Sequence, residues 1–465
     1  MFIFRNILPL VVFAALLESV AGGAVAETPA RLTLATFSAD VTIPLGHRCM
    51  GVLPTKSKKI VDPLFAYGMV LSGAGKPIVL VAVDWCEIRN GAYDQWRDAL
   101  AKAAGTRRER VLVTSLHQHD APVVDKEAQQ LLTSVGLAGE LYDLKFHDKT
   151  LARVAEALRK SLSRAQPVTH IGTGQAKVNR VASNRRVVTA DGRIHFHRGS
   201  SSGGNRDSAA APEGRIDPWL KTITFYNGDK PLLCLHAYAT HPMSYYGRGG
   251  VSADFVGMAR SWMRRDAPGV AHIYLSGCSG DVTAGKYNDG SAANRPVLAE
   301  RIYKAMQAAM KSTRRQPLKQ IAFRNTKLTL PFNDNAAFSE EALNETLQNP
   351  KAKVTERILA AMGLSSRRRI ARGQAIDMPC IDLGPAQIVL QPGEAFVGYQ
   401  LMAQQIRPQS FVMSIGYGEC WPGYIPTKQA FDERFGSSWR WVAPGCELRM
   451  EAALRRVLVA GQDEH

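Results

Sequence analysis

The chain has 465 residues, of which 45% are hydrophobic and 21% charged, a globular composition long enough for one large domain or two ordinary ones. Its net charge of +17 comes from basic residues spread through helical-looking segments without interleaved aromatics, which argues against a nucleic-acid partner. Seven cysteines, odd in number and scattered without a CxxC pair, exclude a zinc ribbon and a dense disulfide framework.

The chain opens with a single Arg5, an apolar run over 7–17 and Ala24-Val25-Ala26 before Glu27. This is the pattern of a secretory signal peptide cleaved near Ala26. The run is short for a membrane span, and no later stretch approaches the roughly 18 apolar residues a span needs. Residues 27–465 are therefore expected as an exported protein, secreted or periplasmic. One or two disulfides can form after export, with Cys420–Cys446 as the expected pair, whereas Cys86, Cys234 and Cys278 sit in apolar runs and are expected as buried thiols.

Strands are predicted over 35–42 and 65–71, around a loop rich in Gly, Pro and Lys. Residues 78–84 (IVLVAVD) form a continuous apolar run, as a central strand covered on both faces requires. A helix over 96–104 leads to a strand at 111–113 that runs into His117 and His119. Residues i and i+2 on extended backbone project to the same side, so two imidazoles can face one cavity. Apolar spacing predicts a long helix over 141–162. Strands and helices in alternation predict an α/β fold, a layered mixed or parallel sheet flanked by helices.

Residues 179–185 (NRVASNR) are polar, and 200–214 is expected as a flexible loop. A buried strand over 231–238 runs into Ala239-Thr240-His241-Pro242, and Ser252 or Asp254 is placed to cap the helix that follows. A short strand at 273–275 leads to a glycine-rich turn carrying Asp281 and Thr283, where backbone can approach a ligand closely. Residues 295–312 are helical. Residues 336–372 read as two helices broken near Asn349-Pro350, a surface insertion with a basic face. A strand at 388–390 leads through Pro392-Gly393-Glu394 into a helix over 395–406, which places Glu394 in its first turn. The last strand, 411–415, runs toward Tyr417 and Tyr424. No internal repeat is evident.

Four strand ends thus present His117 and His119, His241, Glu394, and Tyr417 or Tyr424. Two neutral imidazoles and a carboxylate are a common ligand set for catalytic zinc with a position left open for water. Zinc lowers the pKa of such a water to about 7. A tyrosine can add a ligand or an oxyanion donor. No HExxH is present, which excludes the zincin peptidases. His195 and His197 repeat the HxH spacing but follow the turn Asp191-Gly192 and read as an exposed hairpin. His236 lies inside an apolar strand as a core histidine, and His147, His170 and His272 have no partners in sequence.

In collinear pieces from about residue 34 to 435 the chain resembles the neutral, non-lysosomal ceramidases, exported zinc amidases that cleave the N-acyl bond of ceramide. His117-Gln118-His119-Asp120-Ala121-Pro122 resembles the family's HTHSGP, Asn179-Arg180 its NRS element, and His241 with Ser244 its second histidine segment. Gly280-Asp281-Val282-Thr283 is similar to GDVSPN, Pro392-Gly393-Glu394 matches PGE, and Gly423-Tyr424-Ile425-Pro426-Thr427 is similar to GYVTT. The resemblance implies His117, His241, Glu394 and Tyr424 as zinc ligands. It implies His119, Arg180, Glu394 and Thr283 as catalytic groups, with Asp281, Thr283 and Arg180 against the substrate. Thr283 stands where the family has a serine, Asp120-Ala121 where it has Ser-Gly, and Phe435 where it has a second tyrosine. The family's characterised members also carry a C-terminal sandwich domain, for which the chain has no room.

The sequence therefore predicts an exported zinc-dependent amidase that hydrolyses the N-acyl bond of a sphingolipid-like or other N-acyl substrate by a metal-activated water. Its partners would be a small-molecule or lipid substrate and, through the basic face at 367–372, an anionic membrane surface. Two alternatives stay open: a zinc hydrolase of an N-acetyl or ester substrate, and an inactive envelope binding protein on the same fold.

Overall fold

In the computed structural model, described over residues 1–2, 31–50, 55–73, 75–202 and 205–459, one topology occurs three times in succession. The first copy comprises β1 (Thr33–Asp40), β2 (Phe65–Ser72), β3 (Ile78–Val83), α1 (Asn90–Ala104), β4 (Val111–Ser115) and α2 (Leu144–Ser161). The second comprises β5 (His170–Lys177), β6 (Trp219–Asn227), β7 (Lys230–Tyr238), α3 (Asp254–Asp266), β8 (Ala271–Ser276) and α4 (Asn294–Lys311). The third comprises β9 (Ala322–Leu328), β10 (Ile376–Asp382), β11 (Ala386–Leu390), α5 (Val397–Ile406), β12 (Phe411–Ile415) and α6 (Cys446–Leu458).

In each copy three antiparallel strands are followed by a crossover helix that returns the chain to a fourth strand, parallel to the third. The last helix of each copy then packs on its first strand. Short strands at Gln166–Pro167 and Arg314–Pro317 extend the first two sheets at β1 and β5. The fold is thus mixed α/β, as expected from the alternation of elements, but built on three sheets that share one plan.

Strand alternation assigns the faces. In β3, Ile78, Leu80 and Ala82 join Leu233, Leu235 and Ala237 of β7 and Ala386, Ile388 and Leu390 of β11 in one apolar core between the sheets. The residues between them, Val79, Val81 and Val83, face the helical layer instead. Both faces are covered, which is why the three third strands read as mainly apolar, with His236 in β7 and Gln387 in β11 the buried polar exceptions. A buried ion pair ties the first copy to the second: Arg260 of α3 grips Asp84, at the end of β3, through two bonds of 2.7 Å.

Several expectations are corrected. All seven cysteines are free and buried, so Cys420 and Cys446 form no disulfide. Residues 205–214 of the expected loop include a helix, Arg206–Ala210, and pack against the buried Arg198, whose guanidinium donates to the carbonyls of Asn184, Ser208, Ala211 and Pro212. Satisfying those carbonyls turns an apparent linker into packed structure. Both expected residues hold the start of α3: Ser252 Oγ accepts the N–H of Asp254, the first helical residue at φ 55°, and the Asp254 carboxylate accepts from the backbone N–H groups of Ser244 and Phe255. The insertion forms helices Glu340–Gln348 and Val354–Ala371, but the longer one is mostly buried. Its basic run is not a free face, since Arg369 pairs with Asp94 and Glu419 while Arg368 and Arg372 pair with Glu127.

The helix Lys126–Ser134, α6, β5 and β9 were not foreseen. In β5 the glycines read as breakers. Here they let α4 lie close, since a Cβ on Gly174 would stand 2.0 Å from the carbonyl oxygen of Ala309. The expected signal peptide falls outside the described residues, and no helix among those described is long and apolar enough to cross a membrane.

Candidate metal centre

The carboxyl ends of the parallel strands converge. β4 continues through Leu116, whose N–H donates to Val83, into His117, whose N–H donates to Trp85. His117 sits in the left-handed region at φ 63°, a conformation rare outside glycine, which turns its ring back over the strand ends. Gln118 locks this loop by donating to the Asp84 carbonyl at 2.9 Å and accepting the Asp120 N–H at 2.7 Å. His241, three residues past β7, is anchored by its N–H to the carbonyl of Val282. Glu394 is not in the first turn of α5. It forms a two-residue strand with Ala395 that runs parallel to Tyr424–Ile425, and the helix starts at Val397.

Each imidazole is oriented by a backbone carbonyl. His117 Nδ1 lies 3.1 Å from the oxygen of Cys86, and His241 Nδ1 2.6 Å from that of Ser279. Both Nε2 atoms face the same carboxylate oxygen, and with Nδ1–H turned to a carbonyl each would have its Nε2 lone pair free for an ion. Glu394 Oε2 is 3.3 Å from His117 Nε2 and 2.9 Å from His241 Nε2. All three groups are buried. Burial alone would raise the Glu394 carboxyl. The charge and hydrogen bonds of His117, and then those of His241, outweigh it and hold the group well below the usual carboxylate range. Burial likewise pulls His241 down to about 4, while for His117 the Glu394 charge wins and the ring is raised.

Two neutral imidazoles and one carboxylate converging in a dry site match the donor set of a divalent zinc ion. His119 stands beside them, its ring 5.3 Å from that of His117, and its Nε2 is buried without a partner. Burial, reinforced by the two neighbouring imidazoles, holds it well below its usual pKa and hence neutral. The two tyrosines separate clearly. Tyr417 stacks on the back of His117 at 4.3 Å and its hydroxyl bonds Ser279 at 2.7 Å, behind the centre. Tyr424 lines the cavity in front.

That cavity, of about 320 Å³, is lined by His117, His119, Glu394 and Tyr424 together with Met50, Leu359, Trp439 and the hydroxyls of Thr355, Ser437 and Ser438. Phe435 lies behind Tyr424, packed edge-on against it and against Phe396.

The structure does not bring Arg180, Asp281 and Thr283 to this cavity. Arg180 is exposed, at φ 60°, with its guanidinium 5.9 Å from the ring of Tyr287. Asp281 accepts the N–H of Val397 at 2.7 Å and an amide hydrogen of Asn184 at 2.8 Å, so its carboxylate holds the start of α5. Thr283 donates to Gly199 and accepts from Gly285, a scaffold role.

The arginine beside the centre is Arg185. Its N–H donates to the Asp281 carbonyl, its guanidinium lies 5.9 Å from the Tyr424 ring, and its Nε is buried and unpartnered. A repeated Asn-Arg pair at 179–180 and 184–185 was the available signal.

Sequence reasoning also missed the layer behind His117. Glu87 is buried 3.8 Å from His117 Nδ1 and accepts from Trp439 at 3.0 Å and from Arg89 at 2.9 Å. Arg89 is itself stacked on Trp441 at 4.2 Å. The decoy histidines lie elsewhere: His195 and His197 stack on each other in a surface hairpin, His147 accepts from Trp96, and His236 bonds Thr222 and His272.

Among solved structures the fold is similar to that of a ceramidase complexed with C2, with a TM-score of 0.67 and 12% identity over 93% of this chain and 75% of that one. It is also similar to neutral ceramidase from Pseudomonas aeruginosa, with a TM-score of 0.66 and 14% identity over 92% of this chain and 74% of that one. No protein-family model matches the sequence, and no curated protein does. The chain therefore has a neutral-ceramidase-like fold.

Proposed function

We propose that the chain is an exported, zinc-dependent amidase that hydrolyses the N-acyl bond of a sphingolipid-like or other N-acyl compound. The observation that carries this reading is the meeting of His117 Nε2, His241 Nε2 and Glu394 Oε2, each imidazole fixed by a backbone carbonyl. His117, His241 and Glu394 would hold the ion, with Tyr424 the ligand on the open side. A zinc ion there supplies a Lewis acid and brings the pKa of water to about 7.

The chain's own residues do the rest. Glu394, ionised, accepts a proton at its carboxylate. Neutral His119, with Nε2 unspent, shares a proton with the oxyanion or the departing amine. Arg185 brings positive charge to the same face, the role the resemblance implies for Arg180. The cavity wall carries apolar groups and hydroxyls but no carboxylate beyond Glu394, which suits an uncharged acyl group. Phe435 brings no hydroxyl to this face, where Thr355, Ser437 and Ser438 line the cavity, and a more soluble N-acyl compound is favoured over natural ceramide.

The test is elemental analysis of the purified protein combined with a screen of N-acyl lipids and N-acetyl sugars. Stoichiometric zinc with amide hydrolysis is the expected result. A metal-free protein without hydrolysis would leave the binding-protein alternative standing.

A further inference from the structure

A second concave site lies at the opposite end of β8. It is a crevice of about 760 Å³ between β1 and β2 of the first copy, α2, and the start of β8, within the roughly 300–1,000 Å³ typical of small-molecule sites. Lys160, Arg164, Arg264 and His272 line it and no carboxylate does. Lys160 reaches Glu156 at 3.5 Å, but Arg164 and Arg264 have no acidic partner among the described residues, and Arg264 lies over the ring of Tyr67 at 4.6 Å.

His272 supplies the independent observation. It is fully buried, and its Nε2 has no hydrogen-bond partner. Its other nitrogen, Nδ1, lies 3.0 Å from His236 Nε2, and His236 Nδ1 lies 2.9 Å from Thr222 Oγ1. Burial, followed by the charge of Arg264, draws the His272 pKa down to about 4, and burial holds His236 well below its usual value, so each ring carries one proton. The Thr222 hydroxyl has one acceptor here, His236 Nδ1. It donates there, His236 Nε2–H then donates to His272 Nδ1, and the remaining proton stands on His272 Nε2.

Cys234, His236 and His272 are also close enough to suggest a metal, with ligand atoms within 4.8 Å of one another. No ion is needed to join the two rings, since His236 Nε2 and His272 Nδ1 hydrogen-bond each other at 3.0 Å.

The geometry points to this crevice as a binding site for an organic oxyanion, a phosphate monoester with an apolar tail, held by Arg264, Lys160 and Arg164 with the Thr222–His236–His272 chain as a neutral donor. Phe37 and Leu34 supply apolar wall for the tail. The site is separate from the candidate metal centre, which lies past the carboxyl ends of the strands, and stands whether or not the amidase reading holds.

The probes are dihexanoyl phosphatidic acid and inorganic phosphate, titrated calorimetrically into the intact protein and into Arg264→Glu, Lys160→Glu, His272→Gln and His241→Ala variants. Saturable binding of the short-chain lipid is expected, weakened about tenfold or more by Arg264→Glu and by Lys160→Glu, and unchanged by His241→Ala. The two surface variants keep the test decisive if His272→Gln does not fold. Inorganic phosphate binding equally well identifies a free oxyanion as sufficient, and weaker binding identifies the tailed ligand. No saturable binding of either probe, or binding indifferent to both charge reversals, overturns the proposal. So does stoichiometric zinc that survives His117→Ala with His241→Ala and is lost with Cys234→Ser.

Discussion

His241 Nε2 lies 2.9 Å from Glu394 Oε2, although one residue follows a strand of the second copy and the other a strand of the third. Neither could be buried there alone, because an isolated carboxylate in a dry site is strongly disfavoured. Replacing His241 or Glu394 by alanine should abolish stoichiometric zinc and reduce amide hydrolysis to background, since a three-residue set rarely survives the loss of one member. Alanine at His195 should change neither. Full zinc occupancy in the His241→Ala protein, measured by elemental analysis, would remove the assignment.

Gly280 is expected to govern the position of Glu394 through the backbone alone. A Cβ at Gly280 would stand 2.1 Å from the carbonyl oxygen of Glu394, a backbone atom that cannot swing aside, while Gly280 N–H bonds the Ala395 carbonyl. Gly280→Ala should therefore fold but weaken zinc affinity by about 10–100-fold, the range seen when the supports of a ligand are disturbed. Competition against a chelator of known affinity measures it. An unchanged affinity would show that the strand pair has slack.

Arg185 and Arg180 can be told apart by kinetics. Loss of one oxyanion donor typically costs about 2.7–4 kcal/mol, or roughly 10²–10³ in kcat. Arg185→Ala should fall in that range with zinc retained, and Arg180→Ala should stay near wild type. The reverse ranking would return the role to Arg180.

Activity should fall as pH drops below neutrality. The His117 pKa is raised, chiefly because the Glu394 charge overcomes the effect of burial, so His117 is the first of the two imidazoles to gain a proton and lose its ligand lone pair. His241, near 4, follows later. A pH–rate profile with parallel zinc release checks this. An optimum near about pH 4 would point to chemistry that does not use these imidazoles.

Asp120 sets a pH dependence of stability. Burial, opposed in part by the Gly247 N–H and aided by Asp254, pushes its carboxyl up to about 7. A folded pKa above the unfolded one favours folding in the protonated form. The contribution is thus complete below the unfolded value near 3.8 and is lost as pH rises through 7. Over about three pKa units this is on the order of 4 kcal/mol. Asp120→Asn should flatten the decline in denaturation midpoint between about pH 4 and 7, and an unchanged slope would assign the decline elsewhere.

The centre was legible in sequence wherever a buried strand ended in an ionisable group, as at His117 and His241. Glu394 was legible as a residue and mislocated as an element. Gly393 takes φ 53°, and the turn it makes allows a short pairing with Tyr424 before α5 begins. Arg185 was hidden because two Asn-Arg pairs lie five residues apart, and only the pairing of Ser183–Asn184 with Val282–Thr283 decides which faces inward. The Glu87–Arg89 layer was invisible, since its partners Trp439 and Trp441 arrive from the far end of the chain. The threefold plan escaped for a different reason. Its copies share apolar alternation rather than residues, and helices Lys126–Ser134, Glu340–Gln348 and Val354–Ala371 interrupt two of them at different points.

One consequence of that plan concerns mechanical strength. An ion held by His117, His241 and Glu394 would pin one residue from each copy to a single point, acting as a rivet through three sheets that already share one apolar core. Any opening that parts one sheet from the other two would have to break a ligand bond first. Zinc removal should therefore loosen all three sheets at once rather than fray one loop, with the sheets losing amide-exchange protection together.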